Sequence, residues 1–249
     1  MKLMRVRVLI MVAVLLTAGA SRAADVAVMD GYTLRLDGTV FRLDGIAAPE
    51  RDQVCLDENG VVWACGIGAA NRLADLTAKR AVQCEDKGPD PVYPNRRIGV
   101  CSVEGMILNL NNTLVLDGWA LNFEPYARSR FAIEEADARD NRHGLWKGCF
   151  AAPWDFNRWR KRTAKLLGAA CPARNEAVER NKLFPDNPAM PTGCAIKGKV
   201  ALRALLTGHR GIYHLEVCRS YQGLRNPNRW FCSEEEAQAA GFRKAFTCR

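Results

Sequence analysis

The chain has 249 residues, 48% hydrophobic and 25% charged, with 10 cysteines and a formal net charge of +9. Ordinary apolar content without a repeat excludes intrinsic disorder, a collagen-like chain and a polytopic membrane protein.

The first residues read as a targeting segment. Lys2, Arg5 and Arg7 precede the apolar run 8–18, and Ser21-Arg22-Ala23 offers small residues at the minus-three and minus-one positions. A secretory signal peptide over 1–23 is expected. Its apolar core falls short of the about 20 residues that a spanning helix needs. The mature protein is therefore expected to be exported, periplasmic or secreted, with no transmembrane segment. All ten cysteines follow residue 23, and an even count in an oxidising compartment implies disulfides. No C-x-x-C pair occurs, which disfavours a zinc site built from Cys194, His209, His214 and Cys232. Charge is uneven: residues 24–150 carry 14 basic and 19 acidic side chains, net −5, and residues 151–249 carry 18 and 8, net +10. Any attraction to an anionic envelope surface or to nucleic acid then belongs to the C-terminal half.

In chain order, Val26 to Met29, Thr33 to Leu36 and Thr39 to Ile46 read as strands separated by the turn signals Asp30-Gly31 and Asp37-Gly38. Ile67, Ala70, Leu73, Ala74 and Thr77 repeat at helical spacing over 66–79. Two further strands are expected at 81–85 and 96–103, around a Pro/Gly/Asp-rich loop, followed by helices over 108–116 and 130–142. Five strands with a helix between the third and fourth is the layout of an OB-fold barrel. The expected fold is α+β: a five-stranded OB-fold β-barrel with appended helices over 24–149. Residues 150–192 read as a basic helix from Pro153 to about Leu167 and a linker marked by Pro185, Pro188 and Pro191. Residues 193–249 read as a small module held by two disulfides.

Four stretches carry a resemblance: Asp30-Gly31-Tyr32-Thr33, Arg42 through Glu50, Tyr93 through Val100, and Gly118-Trp119-Ala120 with Gly144-Leu145-Trp146. In this order they resemble the thermonuclease family typified by staphylococcal nuclease, over roughly residues 25 to 148. That family comprises calcium-dependent phosphodiesterases acting on DNA and RNA. The resemblance implies that Arg42 and Arg96 clamp phosphate, that Glu50 activates or positions the attacking water, and that Tyr126 lies on the substrate side. The chemistry suits those residue types, because arginine's fork matches two phosphate oxygens and a carboxylate can take a proton from water. The family pattern has aspartates where this chain has Tyr32 and Ala47. A vestigial cation seat near Asp30, Tyr32, Ala47 and Ala48 lacks both side-chain ligands of the family pattern and keeps the Ala48 carbonyl and waters, so the expected cofactor is none or weak calcium. Asp30 or Asp44 would supply a replacement carboxylate; the alternative is that both are turn residues, with Asp44 paired to Arg42. Glu50 is either catalytic or a loop carboxylate paired with Arg51.

Three functions follow as expectations: a thermonuclease-like binding or envelope module with weak or absent cleavage, an active endonuclease with an altered metal site, and a polyanion-binding protein acting through its basic half. Residues 194–198, 212–214, 230–234 and 239–243 resemble a small module found on secreted bacterial proteins, sometimes called a sunset domain. Local geometry suggests the pairs Cys55–Cys65, Cys84–Cys101, Cys149–Cys171, Cys194–Cys232 and Cys218–Cys248, among the 945 pairings ten cysteines allow.

Overall fold

The computed structural model describes residues 25–171 and 176–248. The expected signal peptide lies outside them. The fold is mixed α+β with several sheets.

Three short strands, β1 (Val26–Val28), β2 (Thr33–Leu36) and β3 (Thr39–Leu43), form the meander that the turn residues mark. β3 ends at Asp44-Gly45, where Gly45 takes φ +72°, so the strand stops before Ile46 rather than running through it. The strand expected over 81–85 extends as β4 (Val82–Pro89), and β5 spans Arg96–Val103. The sheet order is β1-β2-β3-β5-β4, with β3 and β5 parallel and the other pairs antiparallel. Among the described residues no pairing joins β1 to β4, so the sheet is open and not the closed barrel expected.

Helix α1 (Cys65–Thr77) buries Ala69, Leu73 and Leu76 against the sheet, as its 3.6-residue apolar spacing requires. Helix α2 (Leu110–Leu116) is capped by Asn109, whose side chain accepts from Asn112 N, and adds Leu110, Leu114 and Val115 to the same core. Helix α3 spans Ala132–Asp140, shorter at both ends than the expected 130–142.

The expected helix from 153 to 167 is only α4 (Pro153–Asn157). Trp159 adopts φ +49°, Asp155 turns back to accept from Lys165 N, and Phe150–Ala151 pairs with Leu166–Leu167. Phe156, Leu183 and Phe184 then pack with Leu56 and Ala151 in a second core. Helix α5 (Glu176–Leu183) supplies Leu183. Pro188 is buried, and its carbonyl accepts from Trp230 Nε1 at 2.8 Å, so this stretch is tied to the C-terminal module.

That module is a four-stranded sheet of β6 (Ile196–Val200), β7 (Gly211–His214), β8 (Arg229–Phe231) and β9 (Phe242–Lys244), in the order β8-β6-β7-β9. Helix α6 (Glu234–Ala239) opens on Ser233, whose hydroxyl accepts from Glu236 N. Five disulfides join Cys55 to Cys65, Cys84 to Cys101, Cys149 to Cys171, Cys194 to Cys232 and Cys218 to Cys248. The Cys194–Cys232 bond consumes two ligands of the zinc site considered above. Five such bonds are the chemistry of an oxidising compartment. No helix among the described residues is long and apolar enough to cross a membrane.

Candidate functional site

Sheet register decides where the two arginines point. Arg42 on β3 lies opposite Ile98 on β5, two residues beyond Arg96. Side chains two apart share a strand face, so Arg42 and Arg96 project to the same side of the sheet. Both line a cleft of about 250 Å³ that Glu50 and Tyr126 also line, together with Tyr32, Ala47 and Ala48. The sequence-expected residues are thus brought together. Asp30 lies beneath, buried, with its carboxylate accepting from Tyr32 N at 2.8 Å.

Glu50 sits on a loop pinned from several sides. Its N–H donates to Gln53 Oε1 at 3.3 Å, and its carbonyl accepts from Gln53 N at 2.8 Å. The start of α1 presses against that carbonyl: a Cβ on Gly66 would stand 1.8 Å from Glu50 O, so the approach is open only to glycine. The Cys55–Cys65 disulfide closes the same loop. Glu50 Oε1 accepts from Asn157 Nδ2 at 2.8 Å and from the Tyr32 hydroxyl at a long 3.4 Å. Burial of the carboxyl pushes its pKa up to about 7, against the pull of Arg229 and the Asn157 hydrogen bond and with a push from Asp30. Arg51 does not pair with Glu50; its Nη1 donates to Met29 O at 2.7 Å.

Each arginine is held by a scaffold of its own. Arg42 Nη2 donates to Ile46 O at 3.0 Å, and its guanidinium lies 5.2 Å from the Tyr32 ring and 5.8 Å from the Tyr126 ring. Arg96 forms an ion pair with Asp90 at 2.7 Å and stacks 3.7 Å from the Tyr93 ring centroid. Asp90 also accepts from Val92 N and Tyr93 N. The Pro/Gly/Asp-rich loop is therefore a cradle that aims Arg96. Burial pushes the Tyr93 and Tyr32 phenols up, so both stay protonated donors at neutral pH.

The resemblance implies a calcium site here, and the donor chemistry does not fit it. Calcium takes six to eight oxygens, carboxylates prominent among them. Ala47 supplies no side-chain oxygen, Tyr32 turns its hydroxyl to Glu50, and Asp44 is paired with Arg130 at 2.8 Å rather than with Arg42. Among the described residues no group of three or more His, Cys, Asp or Glu side chains is arranged to hold a metal.

Several residues at the site escaped the sequence reading. Asn157 holds Glu50, Phe123 and Trp154 wall the cleft with ring centroids 5.7 Å apart, and Ala239 of the C-terminal module reaches its rim. Glu236 accepts from Cys232 N at 2.8 Å and has its pKa pushed up to about 7 by burial. His214 contacts Ser220 Oγ at 2.7 Å; Ser220 is tied in turn to Thr247, beside the Cys218–Cys248 bond.

No family model matches the chain. It is similar to the succinoglycan biosynthesis protein ExoI of Rhizobium meliloti (strain 1021), with 32% identity over 144 residues, which cover 55% of this chain and 73% of that relative.

Proposed function

The chain belongs to the family of the succinoglycan biosynthesis protein ExoI, and from that premise we propose that its cleft binds phosphodiesters on a thermonuclease-like OB-fold. In this reading calcium-driven cleavage is weak or absent, and the protein is exported. The strand order, with its parallel β3–β5 pair after a three-strand meander, supports the OB-type reading of the sheet. The observation that carries the functional reading is the meeting of Arg42, Arg96 and Glu50 on one cleft where Tyr32 and Ala47 stand in place of acidic side chains.

The chemistry follows from the parts. Two forked cations aimed into one small cleft hold the oxygens of a phosphodiester. Tyr126, Phe123 and Trp154 offer flat faces on which a base or sugar can lie. Glu50, half protonated near neutrality, repels the bound anion less than an ordinary carboxylate would. In its ionised form it is placed to take a proton from water. Calcium would add polarisation of the phosphate, worth several kcal/mol, and the donor set here does not support it.

The relative's name ties that protein to succinoglycan biosynthesis. Carried to this chain, it sets succinoglycan beside DNA and RNA as a ligand to test. The net +10 of residues 151–249 supports a second, less specific contact with polyanions, whose affinity would fall as salt rises.

The test is digestion of plasmid DNA and RNA with calcium, with magnesium and with chelator. Little or no calcium-stimulated cleavage is expected from the wild type, and a gain from Tyr32→Asp combined with Ala47→Asp. Robust calcium-stimulated cleavage by the wild type, abolished by Glu50→Gln, would show an active nuclease instead.

A further inference from the structure

The most deeply buried ion pair among the described residues joins positions 177 apart in the chain. Arg229 Nε donates to Asp52 Oδ2 at 2.6 Å and Nη2 to Oδ1 at 2.8 Å, with the two side chains 2% and 1% exposed. Arg229 Nη1 donates to Asn157 O at 3.1 Å, and Trp230 N donates to Asp52 Oδ2 at 2.9 Å. The guanidinium is flanked by the Phe156 and Phe231 rings at 4.6 and 4.9 Å. An apolar pair of similar volume would fasten the module without the cost of desolvating two charges. What this pair adds is orientation, because Asp52 follows Glu50 by two residues and Asn157 is the residue that hydrogen-bonds Glu50.

We propose that Arg229 is a positioning residue, through which the C-terminal module fixes Asp52 and Asn157 on either side of Glu50 and so completes the cleft. The inference rests on Glu50 being the carboxylate of the phosphodiester site. It accounts for three facts at once: the burial of the ion pair, the bidentate grip on the Glu50 loop, and the presence of Ala239 at the rim. The charged and titratable groups around Glu50 come from every element packed on it. Arg229 pulls its titration down most strongly, Asp30 and Asp52 push it up, and the Tyr32 and Tyr93 phenols and Glu236 share the same buried side.

The experiment uses the full chain and three variants: Arg229→Met with Asp52→Asn, which removes both charges together; Arg229→Lys; and Asn157→Ala, which leaves the ion pair intact. The Glu50 carboxyl is titrated by carbon-13 NMR, with Glu50→Gln for assignment. Affinity for a single-stranded DNA oligonucleotide is followed against pH, and thermal stability is recorded alongside. In the double variant and in Asn157→Ala the Glu50 midpoint should rise by about one unit, and the pH midpoint of affinity should rise with it. Arg229→Lys should lie nearer the wild type. A clasp that only fastens the module would lower thermal stability and, beyond the shift in midpoint that losing the Arg229 charge itself brings, would leave oligonucleotide affinity below that midpoint at the wild-type value in the double variant, which would overturn the proposal. Because the NMR titration needs no ligand, failure of the wild type to bind the oligonucleotide counts against the phosphodiester reading, and an unmoved Glu50 counts against the role of Arg229.

Discussion

The sheet that carries the cleft and the module that leans on it are stabilised by different means. The first region has one large apolar core, in which Leu34, Leu43, Ile46, Leu73 and Leu114 are fully buried. The C-terminal module has two small clusters and leaves Leu202, Leu206, Val217 and Phe246 exposed. Fewer than 60 residues bury little surface unaided, so two disulfides make up the difference, while the Asp52–Arg229 clasp sets how the module docks. A rigid sheet can therefore aim the arginines, whereas the module acts on the site only while it is crosslinked and docked.

The largest expected effect breaks that asymmetry directly. Replacing Cys194 and Cys232 by Ser should cost about 2 to 5 kcal/mol, the usual loss when a small secreted domain loses a native bridge. Hydrogen exchange should show the module opening while α1 and β5 stay protected. Equal loss of protection in both regions would mean that they form a single cooperative unit.

Next in size is Arg96→Ala. It removes a charged phosphate donor worth about 1.5 to 3 kcal/mol, so oligonucleotide affinity should fall roughly tenfold or more. It also strands Asp90, whose side chain is 3% exposed, and thermal stability should drop with it. Arg42→Ala should lower affinity by a similar factor at less cost in stability, since its partners are carbonyls.

The smallest effect is a dependence on pH. Burial raises the Glu50 and Glu236 carboxyls to about 7 in the folded chain, from about 4.5 for a free side chain. With folded values raised, their contribution to stability is fully present below about 4.5 and declines as pH rises through 7. Glu236→Gln should flatten the fall in unfolding free energy between pH 5.5 and 8.5 by an amount on the order of 1 kcal/mol. For the same reason anion affinity should weaken as pH rises through 7 and Glu50 ionises, whereas a rate limited by Glu50 acting as a base would rise.

The sequence made local features legible. Asp-Gly pairs marked the turns of the meander, whereas Arg42 and Arg96 were linked by the resemblance and are set on one face by the β3–β5 register. Cys84 and Cys101 stand directly opposite each other on β4 and β5, which is why neighbouring-strand reasoning pairs them. Features set by distant contacts were hidden. Asp44 finds Arg130 and Asp52 finds Arg229 across 86 and 177 residues, separations at which spacing carries no information. The expected long helix after Pro153 failed because the 3.6-residue aromatic pattern reports burial but not continuity. Phe156 and Trp159 are within 5.6 Å, yet the chain reverses at Trp159 to pair Leu166–Leu167 with Phe150–Ala151. Whether the sheet closes was equally unreadable, since it depends on an edge pairing that the strand residues do not encode.

The central claim meets its most direct test in fluorescence anisotropy of a labelled single-stranded oligonucleotide, with wild type compared with Arg42→Ala combined with Arg96→Ala at one moderate salt concentration. Saturable binding by the wild type that falls by about a hundredfold in the double variant is the predicted result. Equal affinity in the two proteins would contradict the account, because the phosphate contacts would then lie somewhere other than this cleft.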